Sequence, residues 1–316
     1  MSKNVDVQIK DTFEIGSNAS RSIHLQIDRV ISSLDETGEK KKTDVENAQA
    51  AFAERGEKLT AHDKGQNTGI HSFGTLHKFQ GNCYRFGDFC RKEFKCFSLE
   101  KITPQAVTGF FNRLSDLGYS HNTVNGYISA VEKLGSRVEV GEQWHNAIKE
   151  FKASDAYKNL EHKDTSSRAY GDNAQKIIDA ISNEKAQVAA IIAKETGLRR
   201  GEVCHFTLKG SEIVSKGKNG MELHKSISDE LKARIAPLTD ENGRFNLSPH
   251  TLSHAWERAA RSVGVSSNGI HGLRHDKAQA DVRDGLAEGK TVSQSMKGAS
   301  EDLSHHRESI TYTYLR

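Results

Sequence analysis

The hydrophobic positions along the chain recur mainly at helical spacing. Between residues 76 and 90 the apolar side chains stand three or four positions apart, which places them on one face of a helix. Further stripes follow a Thr-Pro pair at 103 and a serine at 120, both common at helix starts, and a fourth surrounds Trp144. Residues 67–153 are therefore predicted to form a compact domain of about four helices. The stripes comprise Leu76, Phe79, Cys83, Phe86 and Cys90; Val107, Phe110, Phe111 and Leu114; Val124, Tyr127, Ile128, Val131 and Leu134; and Trp144, Ile148 and Phe151.

The first 66 residues have a different pattern. Apolar residues recur at helical spacing over 23–34, and a Thr-x-x-Glu capping box at Thr43 predicts a second helix over about 44–57. The polar stretch 60–69 is typical of a linker. Residues 1–66 are therefore predicted to be an N-terminal helical extension and linker. The segment is either solvated or binds accessory DNA or a neighbouring subunit, and its acidic balance favours the solvated extension.

The polar stretch at 153–172 is predicted to be a linker, with a domain boundary near 155–168. Helical patterns resume at 173–181 and at 185–196. Between 213 and 228, short alternating apolar runs flank a Gly-Lys-Asn-Gly turn, which is typical of a β-hairpin. A Ser-Pro pair at 248 opens another helix. The expected fold class is mainly α with a small β-hairpin or sheet in the second domain.

Composition narrows the class of protein. The chain has 316 residues, a length that favours two domains. No run approaches about 20 consecutive apolar residues and no signal-peptide pattern is visible, so we expect no membrane span and no export. The four cysteines include no Cys-x-x-Cys pair, which predicts reduced thiols in a cytoplasmic protein rather than a zinc knuckle. The net charge of +3 is compatible with a polyanion partner but does not identify one.

Three short segments carry residues suited to phosphate chemistry. The first, 196–202, has the sequence Thr-Gly-Leu-Arg-Arg-Gly-Glu. One helix is expected to end at Gly197 and another to begin near Glu202, so Arg199 lies at a sharp junction from which its planar fork can bind an oxyanion. The alternative is an ordinary exposed Arg-Arg pair.

The second segment runs from His271 to His275 and contains Arg274. Spacings of three and four place these basic side chains on one helical face. This combination suits phosphate binding, and histidine can also move a proton near neutral pH. The alternatives are a solvated basic face and a metal site on the two histidines, which lacks the glutamate of the His-Glu-x-x-His pattern.

The third segment, 303–314, contains two adjacent histidines and then Tyr312 and Tyr314. A phenol has a pKa near 10 and is a poor nucleophile at pH 7. It becomes an effective one where positive charge stabilises the phenolate and a base accepts the proton. The segment therefore supplies a candidate nucleophile.

Together, these segments resemble the motifs of the tyrosine recombinase (phage integrase) family. Thr196 to Glu202 match its T-G-L-R-x-x-E box at each fixed position, and His271 to His275 match its H-x-L-R-H box. In the family's L-G-H box a tyrosine follows the histidine by nine residues, as Tyr314 follows His305 here. The pattern at 120–130 also resembles the family's core-binding helix.

The family's lysine stands in a β-hairpin, commonly as K-[TN]-G. Lys218 with the following Asn-Gly fits this pattern, and Lys216 is a second candidate. Lys225 and its neighbour stand where relatives have a Val-Pro-like pair. The chain also departs from the family, because Ser304 replaces the glycine of L-G-H and only two residues follow Tyr314, where many relatives have a further helix.

The resemblance implies an architecture and a reaction. It implies an all-helical core-binding domain at 67–155 and a mixed α/β catalytic domain at 165–316, which form a C-shaped clamp on DNA. The reaction cuts and rejoins DNA through a 3′-phosphotyrosyl intermediate, with Tyr314 as nucleophile and Tyr312 as the fallback. It uses no metal, ATP or other cofactor.

The resemblance also implies roles for individual residues. The two arginines and His305 would bind the non-bridging phosphate oxygens, and His271 would accept the phenolic proton or bind phosphate. The lysine would protonate the departing 5′ oxygen, while Glu202 and His275 would orient the other groups. The implied catalytic residues are Arg199, Lys218, His271, Arg274, His305 and Tyr314.

The implied partner is double-stranded DNA carrying specific recombination sites. A homo-tetramer on synapsed DNA is expected, with possible accessory DNA-bending or directionality factors, at the nucleoid in the cytoplasm. The extra N-terminal region favours integration or excision of a mobile element. Two alternatives remain, a non-catalytic DNA-binding relative and a metal-dependent hydrolase.

Overall fold

The computed structural model confirms a mainly helical protein with one small sheet. The described residues are 22–39, 41–162, 167–217, 220–304 and 308–315. The chain divides into two units, Met1–Asp164 and Thr165–Arg316. None of the helices in the described ranges is long and apolar enough to cross a membrane. The domain limits of the sequence analysis stay predictions.

The first unit is built from helices. They are α1 (Ile23–Ser33), α2 (Lys41–Glu54), α3 (Ala61–Asn67), α4 (Phe73–Phe94), α5 (Pro104–Asp116), α6 (His121–Gly135), α7 (Gly141–Ala153) and α8 (Asp155–Lys158), with a short 3-10 helix at Leu99–Lys101. The Ser72 hydroxyl accepts the Thr75 N–H and so caps α4, and Thr103 caps α5 in the same way. Ser120 precedes α6 as predicted, but its hydroxyl bonds the Thr123 side chain rather than a backbone N–H.

The core of the first unit is apolar and rich in aromatic rings. Phe86 of α4 lies edge-on to Phe110 of α5 and to Trp144 of α7, with ring centroids 5.3 and 5.5 Å apart. The fully buried Trp144 donates its indole N–H to the Ile102 carbonyl at 3.0 Å, so its polar atom is satisfied. These contacts join three of the helices that the apolar stripes predict.

The N-terminal helices contribute to the same core. Ile27 of α1 is fully buried and belongs to the cluster that α4 also lines. Helix α2 begins at Lys41, so the prediction that Thr43 caps a helix starting at Asp44 is wrong, and Thr43 lies in the first turn. The Asp44 carboxylate instead accepts the Gly69 N–H at 2.6 Å, a tertiary contact that a local pattern does not reveal.

The stretch 60–69, predicted to be a linker, contains α3. Thr60 and Asp63 form a capping box, in which each side chain accepts the other's backbone N–H at 3.1 Å. Lys133 of α6 donates to the Gly65 carbonyl at 2.7 Å and to a second carbonyl three residues later. A strongly polar segment therefore folds as a helix because a cap and a buried lysine satisfy its backbone ends.

The second unit combines helices with a four-stranded antiparallel sheet of order β3-β2-β1-β4. The strands are β1 (His205–Lys209), β2 (Glu212–Lys216), β3 (Glu222–Ser226) and β4 (Arg244–Asn246). The helices are α9 (Asn173–Asp179), α10 (Glu184–Thr196), α11 (Arg200–Cys204), α12 (Asp229–Ile235), α13 (Pro249–Ser262), α14 (Gly272–Ala287), α15 (Val292–Asp302) and α16 (Glu308–Tyr314), with a 3-10 helix at Ala236–Leu238. The predicted hairpin is β2–β3, and β1 and β4 extend it.

Small side chains on α10 allow its neighbours to approach closely. The helix buries four alanines and packs against α13 and α14. Trp256 of α13 donates its indole N–H to the Tyr170 hydroxyl at 3.0 Å, which ties the chain before α9 to this core. This packing places the end of α10 beside the start of α14, where two of the predicted motifs lie.

Candidate active site

The junction between α10 and α11 places Arg199. Gly197 ends α10 with φ of +66°, a conformation that favours glycine. A Cβ atom at this position would overlap the Leu303 side chain, so glycine is also needed for close packing. Arg199 follows as the N-cap residue of α11, as the sequence predicts for a sharp junction between helices.

Glu202 holds Arg199 from two sides. The Glu202 carboxylate accepts the Arg199 backbone N–H at 2.6 Å and a guanidinium N–H at 2.9 Å. The carboxylate side chain is 5% exposed, whereas the Arg199 side chain is 32% exposed. A buried acid therefore fixes a partly exposed guanidinium, an arrangement suited to presenting that cation to an anion.

Arg274 joins two segments that are far apart in sequence. Its side chain is almost fully buried, and its two terminal nitrogens donate to the carbonyls of Gly197 and Leu303. Burial and then the like charge of Arg199 lower the pKa of the Arg274 guanidinium, while the Tyr314 phenol, to which it is hydrogen-bonded, raises it. Arg274 thus links the α10–α11 junction to the segment that precedes α16.

His271 and His275 lie in a buried, cationic environment. Burial lowers the pKa of His271 to about 4, with further lowering from His275 and nearby arginines. Burial and the charge of Arg168 lower the pKa of His275 to about 4 as well. Both imidazoles are therefore neutral at pH 7.

Tyr314 lies among these residues. Its ring centroid is 4.4 Å from that of His275 and 5.5 Å from that of His271, and the Arg274 Cζ lies 5.9 Å from it. Tyr314 is 8% exposed, whereas Tyr312 is 57% exposed. The geometry therefore favours Tyr314 over Tyr312 as the nucleophile of this group.

The structure brings four of the six predicted catalytic residues together. They are Arg199, His271, Arg274 and Tyr314. Lys218 and His305 lie outside the described residues. Lys216, the alternative lysine, is exposed at the end of β2. The catalytic roles of all these residues stay predictions.

A segment that the sequence does not predict to be part of the site covers the start of α14. Tyr170 and Gly171 donate their backbone N–H groups to the Asp276 carboxylate at 2.9 and 2.7 Å, although 153–172 was predicted to be a linker. Arg168, in the same segment, donates to a carbonyl at 2.6 Å and carries the charge that acts on both histidines. Its polar local sequence contains no signal for this placement, and only Tyr170 hints at a core contact.

One group of described residues is compact enough to hold a metal ion, and it lies in the first unit. The ligand atoms of Glu36, Asp44 and His71 lie within 4.8 Å of one another. The buried Arg137 guanidinium acts on the same carboxylates, which raise its pKa against the larger lowering effect of burial. A protein cation therefore already balances these acids, and the group contains none of the predicted catalytic residues.

Several solved structures resemble this chain. No protein-family model and no curated protein sequence matches it. A lambda integrase dimer bound to a COC′ core site matches with a TM-score of 0.59 at 20% identity, over 87% of this chain and 77% of that chain. The XerH site-specific recombinase bound to its difH substrate, a pre-cleavage complex, matches with a TM-score of 0.59 at 18% identity, over 93% of this chain and 92% of that chain. A lambda integrase tetramer bound to a Holliday junction matches with a TM-score of 0.51 at 20% identity, over 90% of this chain and 81% of that chain.

At these identities the likeness concerns the fold. The matches cover 87% and 93% of this chain and therefore extend over both units. The chain therefore has the tyrosine recombinase fold, as its motifs predict.

Proposed function

We propose that the protein is a site-specific DNA recombinase that cleaves and rejoins DNA through a 3′-phosphotyrosyl intermediate. The observation that carries the proposal is the position of Tyr314, a buried phenol that contacts two neutral histidines and a buried arginine. A phenol in such surroundings has both a base for its proton and positive charge for the phenolate. The fold of the site-specific recombinase and integrase structures supports the same activity.

The arginines supply the charge that the reaction needs. Attack on a phosphodiester gathers negative charge on the non-bridging oxygens, and guanidinium groups bind such oxygens through paired hydrogen bonds. Arg199 is fixed by Glu202 and partly exposed, and Arg274 is hydrogen-bonded to the attacking residue itself. With His305 as a further donor, these cations stabilise the transition state without a metal ion.

Proton transfer completes the reaction. Neutral His271 accepts the phenolic proton of Tyr314 as the tyrosine oxygen bonds to phosphorus and the bond to the 5′ oxygen breaks. Lys218, in the predicted hairpin position, gives a proton to that 5′ oxygen. Because the phosphotyrosyl ester conserves the energy of the bond, rejoining needs no ATP.

The substrate is double-stranded DNA with specific sites, which we propose the two units clamp between them. One matched structure is described as a tetramer on a Holliday junction, which supports a homo-tetramer on synapsed DNA. Accessory DNA-bending or directionality factors would select integration or excision of a mobile element. Such a protein would act at the nucleoid in the cytoplasm.

A covalent trapping experiment tests the proposal. The full chain is incubated in EDTA with nicked duplexes that carry a randomised central region, and the mixture is denatured. We expect protein–DNA adducts that survive denaturant, and sequencing the recovered DNA identifies the preferred site. Tyr314→Phe should abolish the adduct, whereas Tyr312→Phe, the matched control at an exposed tyrosine, should retain it.

Two outcomes would contradict the proposal. DNA binding without any adduct would indicate a non-catalytic DNA-binding protein. Strand cleavage that requires an added divalent metal, without a protein-linked product, would indicate a metal-dependent hydrolase.

A further inference from the structure

Four charged side chains form a junction at the end of α15. The Lys225 ammonium of β3 donates to the backbone carbonyl of Asp302 and, at 2.7 Å, to its carboxylate. The other carboxylate oxygen of Asp302 lies 3.0 Å from the ammonium of Lys277 on α14, which also binds Asp281. One carboxylate therefore connects a strand to two helices.

Each of these three elements carries a junction residue that is close in sequence to a predicted catalytic residue. In the sequence, Lys225 follows Lys218 by seven positions, Lys277 follows Arg274 by three, and Asp302 precedes His305 by three. Leu303, next to Asp302, accepts a hydrogen bond from Arg274 through its carbonyl. The junction therefore lies where the hairpin, the motif helix and the segment before α16 meet.

The strand β3, which carries Lys225, is an edge strand. In the order β3-β2-β1-β4, β3 is paired with β2, through the register Glu212↔Ser226 to Lys216↔Glu222. Its other edge has no strand beside it among the described residues. The contact between Lys225 and Asp302 links this edge strand to α15 through side chains.

The two lysines of the junction are largely buried. The Lys225 and Lys277 side chains are 13% and 21% exposed, so each loses much of its hydration and depends on its carboxylate partner, whereas the Asp302 side chain is 43% exposed. Burial alone would raise the pKa of Asp302, but Lys225 and Lys277 lower it overall. Asp302 is therefore ionised at neutral pH and holds both lysines.

We propose that Lys225 and Asp302 are positioning residues that hold the β2–β3 hairpin against α14 and α15, which supports the proton transfer proposed for the lysine of that hairpin. The inference rests on the proposed function. It assigns to the junction one step of the reaction, the proton transfer from the lysine to the 5′ oxygen as the phosphorus–oxygen bond breaks. The attack by Tyr314 depends instead on the arginines and histidines and does not need the junction.

The test replaces the 5′ oxygen with sulfur at the scissile phosphate. A thiol has a pKa of about 8.5, far below that of an alcohol, so a sulfur leaving group departs without a general acid. Both substrates use the duplex recovered from the trapping experiment. We expect Lys225→Met to slow adduct formation on the oxygen substrate about ten- to a hundredfold, because small displacements of a catalytic group have effects of this size. On the sulfur substrate the variant should react at the wild-type rate.

Two further variants keep the result interpretable. Asp302→Asn removes the charge with little change of shape and should give the same selective loss, which also covers the case that Lys225→Met fails to fold. Lys209→Met removes one charge from an exposed position of β1 in the same sheet and should slow neither substrate.

Equal slowing of both substrates by Lys225→Met and Asp302→Asn would overturn the inference, because the junction would then support the whole site rather than the acid. Wild-type rates on both substrates would overturn it as well. Neither outcome affects the proposed function, which fails only if the wild-type protein forms no adduct on either substrate.

Discussion

The core of the first unit and the C-terminal segment of the second are held in place by different forces. Around Phe86 and Trp144, aromatic and aliphatic side chains from several helices form one continuous apolar cluster. By contrast, Tyr314 shares its buried apolar cluster with two other residues of the described ranges, and polar contacts from Arg274 and the histidines surround it. Apolar burial therefore stabilises the first unit, whereas the position of the candidate nucleophile Tyr314 depends on a few specific polar contacts.

The largest expected effect is on the free energy of unfolding, and it comes from the apolar core of the first unit. Phe86→Ala removes a fully buried ring and should lower the free energy of unfolding of the first unit by about 3–5 kcal/mol. Denaturant unfolding, with hydrogen exchange of α4 peptides to localise the change, measures it. The matched control is Phe73→Ala on the same helix, where the side chain is 68% exposed and a change within about 0.5 kcal/mol is expected. Equal losses in the two variants would contradict the account of this core.

The second effect is on the reaction rather than on folding. Arg274→Lys keeps a positive charge but loses the fork that bonds two carbonyls, so the rate of adduct formation should fall by about 10²–10³. Single-turnover kinetics on the trapped duplex measure it. Arg283→Lys, at an exposed position of the same helix, serves as control and should react at the wild-type rate. A wild-type rate in Arg274→Lys would show that the contacts around Tyr314 are not needed.

The third effect is a pH dependence of stability that should be confined to the second unit. The folded state lowers the pKa of His271 and His275 to about 4 from an ordinary value of 6.5, so it binds fewer protons than the unfolded state. Their contribution is therefore complete above pH 6.5 and is lost as the pH falls towards 4. Unfolding of the wild type and of a His271→Gln/His275→Gln variant, compared across this range, should converge at low pH.

His224, in the same unit, should give a pH dependence of stability with the opposite sign. Glu212 and Glu222 raise its pKa, so its small contribution is present below pH 6.5 and is lost as the pH rises through the raised value. A His224→Gln variant should therefore differ from the wild type most at low pH. If the His271/His275 variant behaved like His224→Gln, the environment assigned to the active-site histidines would be wrong.

The smallest expected effect is on the free energy of unfolding, and it comes from one backbone position in each unit. Lys95 ends α4 with φ of +57°, and Ser304 follows α15 with φ of +52°, both in the left-handed region that disfavours residues with a Cβ. Lys95→Gly and Ser304→Gly should each raise the free energy of unfolding of their unit by about 1 kcal/mol. Thermal unfolding measures both. A loss of stability in either variant would mean that the side chain contributes more than the backbone strain costs.

The sequence predicted the elements that depend on local pattern. The stripe at 76–90 became α4, the runs predicted to form a hairpin became the paired strands β2 and β3, and Arg199 stands at the predicted junction of helices. The glycine expected at Ser304 has a physical reason too, because that position adopts a left-handed conformation.

The rest depends on contacts between distant residues, which no local pattern encodes. Helix α3 forms in a polar stretch because Lys133, far along the chain, satisfies its end. Lys225 and Asp302 are 77 positions apart, and nothing near either residue predicts their ion pair. The packing of the Arg168–Gly171 segment on α14 has the same origin.

The most direct test of the central claim is to identify the amino acid that carries the DNA. The trapped adduct is digested with nuclease and protease, and the peptide that retains a nucleotide is sequenced by mass spectrometry. Our account predicts a phosphotyrosyl bond at Tyr314, the phenol surrounded by His271, His275 and Arg274. A nucleotide on the exposed Tyr312, or on any other residue, would contradict it.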